Sequence, residues 1–181
     1  MVQIAGVCIF CGGRPLTKEH VLSDWLRSFI RRETVNYKSI EINIGVRGPQ
    51  PNTRIRSGHP LRRQIRCVCD GCNNGWMKKI VDDSKPLVAK LVQGEACRLT
   101  DKDQQLLSAW IATAVIVSEF EDRDSVTIPA IDRKYLLETR TAPPAWKIWL
   151  GDYERRKWQP QWIRNRFSVT GPDEPPPEKW A

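Results

Sequence analysis

The sequence predicts an α+β fold, and three patterns support that prediction. Isoleucine and valine alternate with polar residues over residues 39–46, which is the period-two pattern of a β-strand. Apolar residues recur at helical spacing over residues 21–32 and again over residues 106–117. The third pattern is a pair of Cys-x-x-Cys sequences, which is typical of small folds stapled by a metal ion.

Three further elements are predicted in the first half of the chain. Residues 64–67 are a short extended segment that leads into the second cysteine pair. Residues 73–92 have helical character, with a break near Pro86 because proline cannot donate a helical hydrogen bond. Residues 48–60 are polar and begin with Gly48-Pro49, which predicts a long loop.

The second half is predicted to open with a buried helix. Thr100 and Asp103 resemble a capping box, and the apolar stretch after them is dense enough for a core helix. Residues 146–150 and 158–169 are strand-like, which predicts a small β-rich part. We therefore expect a helical middle followed by strands.

Composition divides the 181 residues into three parts. Residues 1–92 are expected to form a zinc-bound module, and residues 93–170 a helical and then β-rich part packed on it. Residues 171–181 contain a run of prolines and are expected to be a flexible tail. A chain of this length supports one core with an added subdomain rather than two large domains.

Hydropathy argues against a membrane protein. The longest apolar run, residues 109–117, is far shorter than the roughly 20 residues that a membrane span requires. The segment from Val2 to Phe10 has no charged n-region, which argues against a secretory signal. We expect a soluble, cytoplasmic protein with no membrane partner.

The charge balance favours an acidic partner. Lys and Arg outnumber Asp and Glu by 29 to 21, which gives a net charge of +8 and a pI near 9.4. Such an excess attracts polyanions, nucleic acid above all. Charge alone identifies no partner, because many basic proteins bind no nucleic acid.

The cysteine spacing predicts one structural zinc site. Cys8, Cys11, Cys69 and Cys72 form two Cys-x-x-Cys turns with glycines beside or inside them, and four thiolates complete a tetrahedral zinc shell. The alternative is that these are free cysteines packed as small apolar residues. Cys97 lies outside any pair and is expected to be buried. The ion would stabilise a region that has a thin apolar core.

The order of these motifs resembles the HNH endonuclease family. The first cysteine pair is followed by Glu19-His20-Val21, then by the second pair, and then directly by Asn73. This is similar to the family pattern of an acidic-His-aliphatic triplet between two cysteine pairs with a His or Asn after the last cysteine. The resemblance covers residues 8 to about 80 and implies a ββα-metal (His-Me finger) core.

The resemblance implies a role for each motif residue, and the residue types suit those roles. His20 would act as the base that activates water, since neutral imidazole accepts a proton near pH 7. Glu19 and Asn73 would bind a catalytic Mg²⁺ or Mn²⁺ ion through oxygen atoms. Gln64 stands near the family's Asn position and would fix the loop of the base.

Basic residues near these motifs predict a nucleic-acid surface, with DNA expected rather than RNA. The set lies between the triplet and the first helical turns after the second cysteine pair, and consists of Arg54, Arg56, Arg62, Arg63, Arg66, Lys78 and Lys79. A second group over residues 155–166 interleaves basic residues with Trp158 and Trp162, either as a solvated face and core or as a second surface.

The sequence leaves three interpretations open. The first is a metal-dependent endonuclease that hydrolyses DNA, for which a homodimer or another protein partner is compatible with double-strand cleavage. The second is an inactive, zinc-stapled nucleic-acid-binding or inhibitor protein of phage or defence origin. The third is a zinc-ribbon factor for transcription or the ribosome, which accounts for the cysteines but not for Glu19 and His20.

Overall fold

The computed structural model describes residues 6–29, 36–45, 48–57, 60–121, 123 and 126–151. Within them the fold is mixed α/β, as the sequence predicts. Its strands and α-helices are β1 (Leu16–His20), β2 (Asn36–Gly45), β3 (Gly48–Ser57), β4 (Gln64–Cys69), α1 (Lys78–Gln93), α2 (Asp101–Glu119) and α3 (Ala130–Thr139).

The first two-stranded sheet pairs β1 with β4. The strands are antiparallel, from Leu16 opposite Cys69 to His20 opposite Gln64, with a register irregularity between Thr17 and Lys18. The extended segment predicted at residues 64–67 is therefore confirmed and reaches Cys69. This pairing brings Glu19, His20 and Cys69, the first cysteine of the second pair, onto one small sheet.

The second sheet is an antiparallel ribbon of β2 and β3. The strand predicted over residues 39–46 is confirmed over residues 39–45, and Val46 lies outside the described residues. The loop predicted over residues 48–60 is wrong, because residues 48–57 form β3. Because of Pro49 and Pro51, the sequence of this segment indicates a loop rather than a strand. Each strand of a two-stranded ribbon has an unpaired edge, where a residue without an N–H is tolerated.

The amphipathic helix predicted over residues 21–32 is wrong in form. Instead, a short 3₁₀ helix spans Asp24–Ser28, and Phe29 is its C-cap residue. Residues 30–32 lie outside the described residues. The Arg27 guanidinium donates to Asp24 at 2.7 Å, three residues away, as the tighter turn allows. The predicted apolar face is still used, since Leu26 is buried.

A π-helical turn, Gly71–Met77, leads into α1 and is kinked at Gly75. The predicted break near Pro86 is wrong, because α1 continues through this residue to a left-handed Gly94. Pro86 is exposed, so water can satisfy the carbonyl that loses its helical partner. The glycine end is the usual helix terminator.

The capping box at Thr100 is confirmed: its hydroxyl accepts from the Asp103 N–H, and the Asp103 carboxylate accepts from the Thr100 N–H. The helix that follows is the central core helix. In contrast, α3 was not expected, because one of its two buried residues is Arg133, which breaks the apolar pattern. Residues 146–150 contain no strand, and residues 158–169 and 171–181 lie outside the described residues.

Two apolar clusters hold these elements together. The first joins the cysteine pairs to the C-terminal helices through Phe10, Met77, Ile116 and Leu136. The second packs Leu26, Leu61 and Val88 against Leu107. Among the described residues, no helix is both long and apolar enough to cross a bilayer.

Candidate metal centre and adjoining polar site

The first cysteine pair lies on a tight turn. The Gly12 N–H donates to the Cys8 carbonyl at 2.9 Å, and the Cys8 N–H donates to the Gly13 carbonyl at 3.0 Å. Gly12 has a φ of +74°, a conformation that glycine adopts without strain. The turn thereby directs two thiols towards one point.

The second pair completes a four-thiol cluster. Cys69 ends β4 and Cys72 lies in the π-helical turn, and the sulfurs of all four cysteines lie within 4.8 Å of one another. Four sulfurs bound to one zinc at about 2.3 Å are about 3.8 Å apart in a tetrahedron. The donor set and its spacing fit a structural metal such as zinc.

The surroundings of the cluster favour the thiolate at Cys8, whereas burial raises the pKa of Cys11. The Gly13 N–H lies 3.3 Å from the Cys11 sulfur. Burial raises the pKa of the Cys8 thiol, but hydrogen bonds from the backbone of Cys11, Cys69 and Phe10 outweigh burial and leave this pKa below its usual value. Burial raises the pKa of Cys72, so ligation there requires the metal to displace the proton.

The two remaining cysteines lie outside the cluster. Cys67 is buried on β4, and burial raises its pKa to about 12, as expected of an apolar core thiol. Cys97 is exposed, so its predicted burial is wrong. It follows α1 in a segment without helix or strand, where few neighbours can cover it.

A polar site lies at the His20 end of β1, opposite to the Leu16 end that pairs with Cys69. His20 and Gln64 are directly opposed in the sheet, and their Nε2 atoms lie 2.9 Å apart. The Asp24 carboxylate lies 3.8 Å from the same ring nitrogen. The His20 side chain is 29% exposed, so it is open to solvent and to a ligand.

Asn73 connects this site to the second cysteine pair. Its amide nitrogen donates to the Thr17 hydroxyl at 3.0 Å and to the Lys18 carbonyl at 3.1 Å. Burial raises the pKa of Glu19 to about 7, and a hydrogen bond from Asn73 partly opposes that shift. Asn73 therefore ties β1 to the π-helical turn and contacts the Glu19 carboxyl.

A small cavity of about 20 Å³ lies beside the polar site. Glu19, His20 and Ser23 line one side of it, and α2 lines another with Trp110. The Trp110 indole N–H donates to the Ser23 hydroxyl at 3.3 Å. The central helix thus supports the chain just after His20.

The predicted basic surface is partly engaged in contacts within the protein. Arg63 pairs with Glu121 at 2.7 Å, and Arg66 donates to the Leu16 carbonyl at 2.9 Å. Lys78 and Lys79 pair with acidic residues one turn further along α1, while Arg62 is exposed. Arg54 and Arg56 lie on β3, and residues 155–166 lie outside the described residues.

Sequence reasoning missed two residues of the polar site. Thr17 accepts the Asn73 amide, and Asp24 lies beside His20. The only sequence signal for Asp24 was its position four residues after His20, which predicts proximity on a helix but not at the end of a strand. Thr17 could be found only from the pairing of β1 with β4.

The described fold and its four-cysteine cluster define a mixed α/β protein with a candidate structural metal centre. No protein-family model matches the chain, and no curated protein or solved structure matches it.

Proposed function

We propose that this protein is a metal-dependent endonuclease of the HNH type that hydrolyses phosphodiester bonds in DNA. One observation supports this most directly: Glu19 and His20 line the same small cavity, Gln64 contacts His20, and Asn73, which directly follows Cys72 of the four-cysteine cluster, contacts Glu19. A zinc ion bound there would hold together residues some fifty positions apart in the sequence.

His20 is the proposed base. The Gln64 amide lies 2.9 Å from the His20 Nε2 atom, at the end of the same small sheet. Neutral imidazole is the form of the side chain that accepts a proton from water. Gln64 also restrains the ring, while the remaining exposure leaves room for substrate.

Glu19 and Asn73 are the proposed ligands of a Mg²⁺ or Mn²⁺ ion. Asn73 uses its amide nitrogen for β1, so its carbonyl oxygen is the atom by which it would bind the ion. A carboxylate and an amide carbonyl are oxygen donors, which these hard cations prefer. When bound, the ion would neutralise charge on the phosphate and its leaving oxygen.

A DNA substrate is proposed from charge. The chain has a net charge of +8, and the exposed Arg62 lies close in sequence to Gln64. Exposed ion pairs such as Lys79–Asp83 contribute little to stability, so phosphate can compete for their cations.

The test is cleavage of supercoiled plasmid with Mg²⁺ or Mn²⁺ by purified wild type, His20→Ala and Lys18→Ala. Lys18 is an exposed residue of the same strand and serves as the matched control. Zinc content and circular dichroism establish that each variant is folded. Wild type and Lys18→Ala should nick the plasmid, and His20→Ala should lose at least about 100-fold in rate.

Equal cleavage by His20→Ala would overturn the proposed role of His20. If none of the three proteins cuts although all of them bind DNA, the endonuclease proposal fails and an inactive zinc-stapled binding protein is the better description.

A further inference from the structure

We propose that the β2–β3 ribbon enters the major groove of duplex DNA and reads base edges from one of its faces. This inference rests on the proposed DNA substrate and adds to it the form of the DNA and the element that selects a sequence. It is carried by the register of the ribbon and by the residue types that this register places together.

The register assigns the residues to two faces. β2 and β3 pair antiparallel from Asn36 opposite Ser57 to Gly45 opposite Gly48. Directly opposed residues share a face, and neighbours along a strand alternate between faces. One face is polar and includes Glu41, Asn43, Gln50, Asn52, Arg54 and Arg56. The other face includes Ile40, Ile42, Ile44 and Ile55.

The residue types on the polar face are those that recognise bases. Arginine binds guanine through two hydrogen bonds, and asparagine or glutamine binds adenine in the same way. Two arginines against one glutamate also give this face a positive balance, which complements the charge of DNA.

The dimensions of the ribbon fit the groove. Each strand has ten residues, which at about 3.3 Å per residue gives a length of about 33 Å. The two strands of a ribbon are about 4.8 Å apart, and the major groove, about 12 Å wide, admits a two-stranded ribbon. In sequence the ribbon lies between His20 and Gln64, so the proposed reader is inserted directly into the proposed active module.

The test measures binding without cleavage. Full-length, zinc-bound His20→Ala protein, in buffer without Mg²⁺ or Mn²⁺, is incubated with a library of 30-base-pair duplexes, and the enriched sequence is determined. Fluorescence anisotropy then compares the enriched duplex, a scrambled duplex, a single strand and an RNA duplex. The same measurements are made in the Arg56→Ala, Asn52→Ala and Lys38→Ala backgrounds.

Lys38 occupies the other face, so Lys38→Ala removes one positive charge as Arg56→Ala does and controls for charge. We expect Arg56→Ala and Asn52→Ala each to reduce the preference for the enriched over the scrambled duplex by about 10-fold, because a bidentate base contact discriminates by about 1–3 kcal/mol. Lys38→Ala should leave the preference unchanged. Zinc content and circular dichroism again report folding.

Three results would overturn the ribbon proposal: no enriched sequence, tighter binding to a single strand or to RNA, or equal loss on both duplexes for Arg56→Ala. An equal loss on both duplexes would mean that Arg56 contacts phosphate rather than a base. Because binding is measured in an inactive variant, failure of the nuclease test would leave this result interpretable. The absence of an enriched sequence, or an equal loss on both duplexes, would leave the nuclease proposal standing, whereas tighter binding to RNA would also count against its DNA substrate.

Discussion

Gly13 is the residue most tightly enclosed by the thiol cluster. A Cβ atom at this position would lie 3.2 Å from the Cys11 sulfur and 3.4 Å from the Cys69 sulfur. Free thiols could move by a few tenths of an ångström, but sulfurs bound to an ion could not. Gly13→Ala should therefore lower zinc affinity about 10-fold, as outer-shell changes do. Competition with a chromophoric chelator measures this affinity.

Gly71→Ala is the control, because a Cβ atom there meets nothing within 4 Å. An unchanged zinc affinity in Gly13→Ala would show that the four sulfurs are not held in the arrangement described.

Asn73 stabilises the fold whether or not the protein cleaves DNA. Its amide makes two hydrogen bonds to β1, at 3.0 and 3.1 Å. Asn73→Ala should lower the free energy of unfolding by about 1–2 kcal/mol, measured in urea. The neighbouring Asn74 bonds only to the exposed Asp70 within its own turn, so Asn74→Ala should cost less than about 0.5 kcal/mol. Equal losses would contradict the special position of Asn73.

At the scale of elements, Glu119 connects the end of α2 to the segment that leads into α3. It is 2% exposed, and its carboxylate accepts from the Thr127 N–H and hydroxyl and from the Ile128 N–H. Burial lowers the pKa of Arg133 on α3, and the Glu119 charge opposes that shift. Both groups are thus buried charges that depend on their neighbours.

Glu119→Gln keeps the shape but removes the charge and turns an NH₂ group towards N–H donors. We expect a loss of about 2–3 kcal/mol in the free energy of unfolding, because buried N–H and O–H donors lose a charged acceptor. Glu138→Gln removes an exposed carboxylate paired with Lys134 at 3.7 Å and should cost less than about 0.5 kcal/mol. Chemical denaturation of both variants checks this, and similar losses would refute it.

At the scale of the molecule, the metal centre and the C-terminal helices share one core. Cys8 and Cys72 belong to the same apolar cluster as Ile116 and Leu136, and Arg133 donates to the carbonyl of Ile9 between the first two cysteines. Loss of the metal should therefore loosen α2 and α3 as well as the cysteine turns.

Removal of zinc by a chelator should lower the melting temperature of the described core by roughly 10 °C, since ligand at 1,000 times its Kd stabilises by about 4 kcal/mol. Calorimetry should show one cooperative transition for both forms. A separate low-temperature transition for the cysteine region alone would show that the two parts unfold independently.

The sequence predicted the metal centre better than the elements around it. Cysteine spacing is a local and chemically specific signal, so all four sulfurs of the cluster could be named, and the cap at Thr100 was equally local. Elements whose formation depends on distant partners were missed. β3 has two prolines and pairs along its whole length with β2, and α3 buries Arg133, a charged residue that the apolar pattern of a core helix does not include.

The polar site was predicted in part. The resemblance to the HNH pattern implied that Glu19 and Asn73 lie close together, but the roles of Thr17 and Asp24 as neighbours require the register of β1 against β4. Residue types can indicate chemistry, whereas contacts across a sheet depend on a register that one sequence does not state.

The ribbon begins and ends at one opposed pair, Asn36 and Ser57. Its two ends therefore lie about 5 Å apart at their Cα atoms. Segments with neighbouring ends are the ones most readily exchanged for others of different length. A ribbon from another protein, or a longer one, could be transplanted at this pair while the cysteine turns, β1 and β4 stay the same.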